Sequence, residues 1–494
     1  MLPPIHPNMT MGFYFFPRGG SAQVVRYLCR ALGGTRWKPT LLAGSMGSPA
    51  DNSNAQRFFS GINCRSLDYS PALSAWQSGA DPMASDVPMP ASYEDKPGVP
   101  DSVFFDLDDA AFDRQVDSWV RFLASHAAGA PDVVHLHHLT PMHEAVHALW
   151  PDVPLITHLH GTELKMLTLA ESCSTANGSE SRRGVWAERM QRWAGDSDRV
   201  VVIAPHYQQL VQQMLPVEPA RVATIVSGVD TQVFSPRPVT HAQRLALWRR
   251  CLVEEPRGWQ AGRPEGSIRY DDADLSAFTD LDGQPVPVVL FAGRFMKIKR
   301  LQLLIEAHHA MRSTTGCRSV LVVAGGFPSE WEGEHPYDTV RRLGAVDVFF
   351  AGWQDHDALA AMLNCSDVFA APSVDEPFGL VYLEAMASGI PPIATNTGGP
   401  LSFINVDPDR LTGWLVAPDD IAATARALVE AVSNTAEREQ RGRRASQYIR
   451  EHYSWAASAK AFAALYDEVS AAPRWSARSQ SISSQPELPT IEVA

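Results

Sequence analysis

Two glutamates flank the segment of the sequence with the densest set of chemically useful residues. Glu376 follows an apolar stretch that has the pattern of a buried strand. A predicted helix then begins at Gly379 and Leu380 and carries Glu384 about one turn further on. Free backbone N–H groups at a helix start bind phosphate, and a carboxylate can accept hydrogen bonds from vicinal hydroxyls such as those of a ribose. The pattern predicts one site for a ribose, a phosphate and, beside Glu376, a sugar.

This segment, EPFGLVYLE, resembles the E-x7-E signature of glycosyltransferase family 4, whose members have the GT-B fold and retain anomeric configuration. A second segment, GRFMKIK, looks like the G-R-x4-K element of the same family. The resemblance implies that Arg294 and Lys299 neutralise the diphosphate of a nucleotide-sugar donor. It also implies that Glu376 is a catalytic residue that orients the sugar. The resemblance extends along most of the chain and includes TGGP at 397–400.

Two segments in the first half of the chain, each at the end of a predicted strand, also resemble motifs of the family. HGTE at 160–163 implies that His160 is catalytic and lies near the donor sugar, where its imidazole can donate to a hydroxyl or a phosphate. SGVD at 227–230 departs from the family's N-G-V-D at Ser227. Asp230 is interpreted either as an acceptor-side residue or as an Asx residue that stabilises the turn.

A glycine-rich segment, RGGS, joins the first predicted strand to the first predicted helix. Two successive glycines let the backbone approach a ligand closely. The resemblance implies that donor phosphate and acceptor lie near this loop, so that Gly19 and Gly20 bind the donor and Arg18 lies on the acceptor side. The alternative is a plain tight turn, because the segment lacks the G-x-G-x-x-G pattern of a dinucleotide site.

No metal ion or other cofactor is expected in the reaction. The basic pair and the helix start can stabilise the negative charge of a leaving diphosphate. The four Asp-x-Asp strings of the sequence fall outside predicted strand ends and are interpreted as turn and cap residues. Histidines at 135 and 137, and at 158 and 160, share a face of two predicted strands and could bind zinc. Since no cysteine joins them, we expect neighbours in the cleft to satisfy them instead.

Alternating strand and helix patterns predict how these residues are positioned. Residues 1–235 and 286–454 each alternate apolar strands with helices, which favours two doubly wound parallel sheets. Ligands bind outside the carboxyl ends of such strands, so the two sheets should face each other across a cleft. The expected fold class is α/β of the GT-B type, with two Rossmann-like domains, the first on the acceptor side and the second binding the nucleotide sugar.

Four other segments have different patterns. Residues 47–101 are rich in Pro, Ser, Ala and Asp and are interpreted as a long irregular excursion, a lid or an acceptor-facing loop. Residues 236–285 are interpreted as a linker plus insertion. A helix at about 455–472 could reach back to the first domain, and residues 473–494 have the composition of a disordered tail.

The composition argues against several classes of protein. The 494 residues carry a formal net charge of −13, so nucleic acid is not an expected partner. Peripheral contact with a membrane stays possible without being indicated. The six cysteines include no CxxC pair, and the sequence shows neither a signal peptide nor an apolar run of membrane-spanning length. These features predict a cytoplasmic protein.

The expected function is transfer of a hexose, with retention, from a UDP- or GDP-sugar to an unidentified acceptor such as a saccharide, a lipid-linked glycan or a small metabolite. Three other functions stay open. A sugar phosphorylase would use the same cleft with inorganic phosphate and would release a sugar 1-phosphate. A non-catalytic protein would only bind the nucleotide sugar. A zinc hydrolase would be built on the histidine pairs.

Overall fold

A computed structural model describes residues 7–93, 100–126, 129–172, 179–328 and 330–471. The expectation of a disordered tail at 473–494 falls outside these residues. Five of the six cysteines are described, and all five are free thiols. No helix in the described ranges combines the length and the apolar character needed to cross a bilayer.

The first domain is a parallel sheet of short, buried strands connected by helices. Its strands are β1 (Met9–Phe13), β2 (Pro39–Ser45), β3 (Cys64–Asp68), β4 (Val133–His137), β5 (Leu155–Leu159), β6 (Arg199–Val202) and β7 (Val222–Thr224). Its helices are α1 (Gly19–Leu32), α2 (Ala55–Phe58), α3 (Ser70–Gln77), α4 (Asp109–His126), α5 (Met142–Leu149), α6 (Thr162–Ser172), α7 (Ser179–Asp196) and α8 (His206–Met214). The strand order is β3-β2-β1-β4-β5-β6-β7. All residues of β1, β4 and β5 are buried, as in a sheet covered on both faces.

The second domain repeats this arrangement after helix α9 (His241–Arg249). Its strands are β8 (Val288–Ala292), β9 (Val320–Ala324), β10 (Val348–Gly352), β11 (Val368–Ala370), β12 (Pro392–Thr395) and β13 (Trp414–Val416). Its helices are α10 (Leu301–Thr315), α11 (Pro336–Leu343), α12 (His356–Asn364), α13 (Leu380–Ala387), α14 (Ile421–Ser433) and α15 (Thr435–His452). The strand order is β10-β9-β8-β11-β12-β13, with every pair parallel. Strand order reverses beside β8, and beside β1 in the first domain, which is where α/β sheets bind ligands.

The last described helix, α16 (Trp455–Ala471), packs on the first domain although the chain reaches it from the second. Its Tyr466 is fully buried, and the phenol oxygen lies 2.7 Å from Nδ1 of His135 in β4. On the same helix, Asp467 accepts a hydrogen bond of 2.6 Å from the indole of Trp37. The helix therefore belongs to the core of the first domain, although it follows the second domain in sequence.

The segment 47–101 is more ordered than its composition suggested. It supplies β3, which pairs with β2 at the sheet edge, and the short helices α2 and α3. Further along, the Ala91 N–H donates to the Tyr14 hydroxyl at 3.2 Å inside the core. The expectation of an irregular excursion is wrong for residues 55–77, because β3 and these helices are too short to give a clear apolar period. Residues 94–99 lie outside the described part of the chain.

The segment 236–285 packs against the edge of the second sheet. Helix α9 begins with a capping box formed by Thr240 and Gln243. Phe278 is buried against Phe349 of β10, with ring centroids 5.1 Å apart. The Phe350 N–H donates to the Tyr270 hydroxyl at 3.0 Å. The segment, interpreted from sequence as a linker plus insertion, thus covers an otherwise open sheet edge.

Candidate active site

The carboxyl ends of the two sheets meet around the loops after β5 and β11. Gly161, after β5, has φ 94°, and a Cβ atom there would lie 3.3 Å from Cβ of Pro377 in the other domain. Tyr207 packs against the same glycine. Burial raises the pKa of Tyr207, and the charges of Glu163 and Glu376 add to this effect. The strand ends of both domains therefore share one cleft that includes Glu376.

Glu376 is fixed by contacts with the loops that follow β8 and β12. Its carboxylate accepts a hydrogen bond from the Lys299 ammonium, and the two side chains are only 9% and 18% exposed. Its carbonyl accepts a hydrogen bond of 2.8 Å from the Gly399 N–H. Next to it, the Val374 N–H donates to the Ile298 carbonyl at 2.8 Å. The predicted catalytic carboxylate and one of the predicted diphosphate-binding cations are thus direct partners.

Helix α13 begins at a glycine that no other residue could replace without strain. Gly379 has φ 93°, and a Cβ atom there would lie 2.6 Å from Cδ2 of Tyr382 and 3.2 Å from Cγ of Glu376. The Tyr382 hydroxyl donates to the Ala371 carbonyl at 2.5 Å and anchors the first turn. No side chain among the described residues caps this helix. The amides of Gly379 and Leu380 are therefore available to an anion beside Glu376.

Glu384, on the same helix, contacts a histidine that the sequence analysis missed. Its Oε1 lies 3.2 Å from Nε2 of His356, at the start of α12, and the glutamate is 8% exposed. The other ring nitrogen of His356 lies 3.4 Å from Nε2 of Gln23, in α1 of the first domain. His356 follows the carboxyl end of β10, and this position was the signal that could have identified it. Glu384 and His356 thus lie at the contact between the two domains.

Arg294 follows β8, on the loop that also carries Lys299. It is half-buried, and the structure shows no ion pair between it and any described residue. The backbone of this loop is packed tightly, because a Cβ atom at Gly325, after β9, would collide with the Gly293 carbonyl. The two residues of the predicted basic pair thus differ in their partners. Lys299 forms an ion pair with Glu376, whereas Arg294 forms none with any acidic side chain in the described part of the chain.

His160 lies after β5 and is buried, with its ring packed among those of His137, His138 and His158. Its backbone N–H donates to Oε2 of Glu163 at 3.1 Å, and its Nε2 lies 2.9 Å from Nδ1 of His137. The Glu163 carboxylate also binds the ring of His138. Burial, and next the neighbouring His138, hold the pKa of His160 well below its usual value. His160 is therefore a neutral imidazole at neutral pH.

The histidines behind His160 differ from the expectation that neighbours satisfy them. His135, His137 and His158 are at most 1% exposed. Nε2 of His135, Nε2 of His137 and both ring nitrogens of His158 have no hydrogen-bond partner in the described structure. The expectation is wrong for these three residues, because the side chains that face them are mainly one another and the aromatic ring of Phe462.

The RGGS loop has the open surroundings that a ligand would need. Cβ atoms at Gly19 and Gly20 would meet no heavy atom within 4 Å, and Gly19 has φ 70°. Arg18 forms an ion pair of 2.9 Å with Asp101. Gly19 and Gly20 form the first turn of α1, with Arg18 as the N-cap residue, and Gln23 of the same helix lies 3.4 Å from His356. Gly19 and Gly20 are thus open at the start of the helix that contacts the second domain, and Arg18 has a partner within the first domain.

Asp230 has a local role in the backbone. Its Oδ1 accepts hydrogen bonds from the N–H groups of Gln232 and Val233, at 3.0 and 3.3 Å. This is the Asx turn that the sequence analysis kept as an alternative. All four Asp-x-Asp strings behave alike, since the side chains of Asp108, Asp274, Asp280 and Asp407 each accept a backbone N–H nearby.

Comparisons with known proteins agree with this architecture. The profile of "Glycosyltransferase Family 4" matches residues 18–233, and that of "Glycosyl transferases group 1" matches residues 280–448. A D-inositol 3-phosphate glycosyltransferase of Kineococcus radiotolerans is 30% identical over 356 residues, which are 69% of this chain and 73% of that protein. A glycogen synthase of Mycobacterium tuberculosis is 26% identical over 376 residues, 75% of each chain.

Solved structures with the same fold include one with a bound nucleotide and one with a bound nucleotide sugar. The catalytic domain of starch synthase IV from Arabidopsis thaliana, bound to ADP and acarbose, superposes with a TM-score of 0.64 at 14% identity and covers 94% of this chain and 100% of that one. HepE of Anabaena in complex with UDP-glucose gives a TM-score of 0.63 at 15% identity, again covering 94% and 100%. At these identities the superpositions establish the fold.

The expected fold class is therefore confirmed: the two Rossmann-like domains form a GT-B fold. The two profiles lie on the two domains, and each glycosyltransferase compared in sequence covers more than two thirds of the chain. These matches favour the expected sugar transfer over a zinc hydrolase or a non-catalytic binding protein. The chain is a glycosyltransferase and belongs to glycosyltransferase family 4.

Proposed function

We propose that this enzyme transfers a hexose, with retention of configuration and without a catalytic metal, from a nucleoside diphosphate sugar to an acceptor bound by the first domain. UDP- and GDP-sugars are the first candidates for the donor. One observation carries the proposal: Lys299 and the start of α13 both contact Glu376, and Glu384 lies on the same helix. These groups supply a cation, free amides and two carboxylates to one end of the cleft.

The diphosphate would be bound by the second domain. The free amides at the start of α13 attract an anion, and the helix dipole adds to this attraction. Arg294 contributes a charge that no described acidic side chain neutralises, and Lys299 can share its ammonium between Glu376 and a phosphate oxygen. The ADP and UDP-glucose in the starch synthase and HepE structures support a nucleotide-sugar donor for this chain.

The ribose and the sugar would lie on either side of the diphosphate. Glu384 has an acceptor-only carboxylate at the domain contact, where it can bind the two ribose hydroxyls. Glu376 would bind hydroxyls of the donor sugar. His160 would donate its Nδ1–H to a sugar hydroxyl or a phosphate oxygen, since its Nε2 faces His137. The sugar would thus lie between Glu376 and His160, at the loops that meet near Gly161.

The transfer step follows from this arrangement. The bond between the sugar C1 and the β-phosphate oxygen breaks, and the acceptor oxygen bonds to C1 on the same face. The acceptor hydroxyl proton passes to the leaving phosphate oxygen. Arg294, Lys299 and the α13 amides stabilise the negative charge on the diphosphate, which makes a metal unnecessary. Glu376 positions the sugar and forms no covalent bond to it, unlike the nucleophile of a retaining glycosidase.

The acceptor would approach from the side of the first domain, near the open RGGS loop. The names of the relatives include a glycogen synthase and a D-inositol 3-phosphate glycosyltransferase. A saccharide chain and a small hydroxylated metabolite are therefore the first acceptors to examine, together with a lipid-linked glycan.

A thermal-shift screen of nucleotides and nucleotide sugars tests the donor, because a ligand that binds the native state raises the melting temperature. We expect one nucleoside diphosphate to raise it, with the same increment in the presence of a weak chelator that removes only free divalent cations. The sugar donor of that base should then yield a glycoside whose anomeric configuration, read by NMR, equals that of the donor. Release of a sugar 1-phosphate from inorganic phosphate, or an inverted product, would contradict the proposal.

A further inference from the structure

Three histidines form a closed cluster behind the proposed sugar site. His135 and His137 point to the same face of β4, and His158 is the register partner of His137 on β5. All three are at most 1% exposed. One ring nitrogen of each lies within 4.8 Å of the others. A set of three convergent imidazoles in a closed part of the core is typical of metal ligands.

The hydrogen bonds of the cluster leave the same ring atom free in two of its members. Nδ1 of His135 lies 2.7 Å from the Tyr466 hydroxyl, and its Nε2 has no partner in the described residues. Nδ1 of His137 lies 2.9 Å from Nε2 of His160, and again Nε2 is unpaired. Metal-bound histidines show this pattern, in which the second ring nitrogen donates to an orienting partner.

His158 has the strongest need for a ligand. Neither of its ring nitrogens has a partner within the part of the chain that the structure describes. An unpaired buried polar atom costs about 1–3 kcal/mol, and the cluster contains several. Each of the three rings presents a nitrogen without a partner among the described residues, and in the tautomer that leaves this nitrogen unprotonated its lone pair can bind a cation.

We propose that His135, His137 and His158 bind one divalent transition-metal ion, with zinc as the first candidate. Imidazole nitrogen suits zinc, and water would complete a tetrahedral set. A tetrahedral zinc ion with Zn–N bonds of about 2.1 Å separates its ligand nitrogens by about 3.4 Å, so inward shifts of less than about 1 Å per ring close the site.

The ion has a structural and positioning role, and it lies outside the sugar-transfer step. It joins β4 to β5 and, through the Tyr466 hydroxyl, to α16. Binding through Nε2 places the proton of His137 on Nδ1, from where it is donated to His160 Nε2. His160 then carries its own proton on Nδ1, the ring nitrogen that does not contact His137. The metal thereby selects the tautomer of His160 that donates to the donor substrate.

The test uses the full chain purified without a metal-affinity tag. We expect a single zinc ion per chain by elemental analysis, retained through gel filtration with a weak chelator. Replacement by Co²⁺ should give the intense visible bands of a tetrahedral site, and removal by a strong chelator should lower the melting temperature until zinc is restored. The Co²⁺ spectrum uses the unmodified protein, so it does not depend on the folding of any variant.

Variants then locate the site. The His158→Gln and His135→Gln variants should bind zinc with an affinity at least ~10-fold weaker than that of the wild-type protein. They should therefore retain less zinc through gel filtration. His308→Gln is the matched control, since His308 is a buried histidine of the second domain that also has one unpaired ring nitrogen. Folded wild-type protein that holds less than stoichiometric zinc, lacks the Co²⁺ bands and melts at the same temperature with or without chelator would overturn the proposal. Equal metal content in the His158→Gln variant would do the same.

Discussion

Lys299 donates a hydrogen bond to Glu376, although the two residues are 77 positions apart in the chain. They follow β8 and β11, which are neighbours in the second sheet, so the strand order brings them together. The pair lies at the start of α13 and is largely shielded from solvent. A phosphate that enters here would meet a cation that is already oriented by a carboxylate, which limits the reorganisation needed on binding.

Lys299→Ala should reduce kcat/KM by about 100-fold or more, because loss of one donor aimed at developing charge costs about 2.7–4 kcal/mol. Binding of the free nucleoside diphosphate, measured by calorimetry, should weaken as well. Lys297→Ala is the control, since Lys297 lies in the same turn with an exposed side chain. Equal kinetics in the two variants would show that Lys299 does not act on the diphosphate.

Gly379→Ala should weaken nucleotide binding, because the new Cβ atom meets Tyr382 and Glu376 and the residue must keep φ 93°. Strain of this kind costs roughly 1–3 kcal/mol and displaces the first turn of α13. Gly316→Ala has a similar φ, 71°, but its Cβ atom would meet nothing within 4 Å. Titration with the nucleoside diphosphate should therefore separate the two variants, and a Gly379→Ala protein with wild-type affinity would exclude the helix start from the phosphate site.

Glu384→Gln should weaken binding of a ribonucleoside diphosphate by about 1.5–3 kcal/mol, which is the range for hydrogen bonds to a charged group. The loss should shrink when the 2′-deoxyribonucleotide is titrated instead, because that ligand lacks one of the two hydroxyls. Glu451→Gln, on the exposed face of α15, controls for the change in net charge. An equal loss for both ligands would show that Glu384 does not contact the ribose.

Stability of the second domain should fall as the pH is lowered, partly because of His308. Burial lowers the pKa of His308 to about 3, the charge of Arg312 acting in the same direction. In the unfolded chain its pKa is about 6.5, so below that value the unfolded state binds more protons than the folded state. The contribution of His308 is therefore complete above about pH 6.5 and is lost as the pH falls towards about 3.

His308→Gln should remove up to about 1.4 kcal/mol per pH unit from the slope of unfolding free energy below about pH 6.5. Glutamine keeps an N–H near the Ser319 carbonyl, which lies 3.2 Å from Nε2 of the histidine. The slope is measured by denaturant unfolding from about pH 7 to 5, with the partly exposed neighbour His309→Gln as control. An unchanged slope would mean that His308 is not the residue that titrates.

Local patterns sufficed to predict the strand–loop–helix unit on which Glu376, Gly379 and Glu384 lie. The strand before Glu376, the glycine at 379 and the helix that carries Glu384 are adjacent in sequence, so their geometry follows from one strand–loop–helix unit. The Asx turn at Asp230 is local in the same sense. These are the features that sequence spacing determines directly.

Contacts between distant segments could not be predicted in this way. His356 contacts both Glu384 and Gln23, which is 333 positions away from it, and the contact with Gln23 depends on how the two domains pack. The unpaired nitrogens of the histidine cluster depend on the ring positions of β4, β5 and α16 together. The strand β13 has three residues, which is too short for an apolar period.

The return of the chain at α16 has a mechanical consequence. The chain crosses from the first domain to the second after Val229, and it crosses back before Ser454. Val229 and Ser454 form a β-bridge, beside which the Val229 N–H donates to the Tyr453 carbonyl at 2.9 Å. Both crossings therefore lie side by side, and a Cβ atom at Gly228 would collide with the backbone at Trp455. A hinge motion of one domain against the other would be concentrated at this paired crossing. The contact between Gln23 and His356 would break if the two domains rotated apart. A fluorescent label near Gln23 would therefore report opening of the cleft.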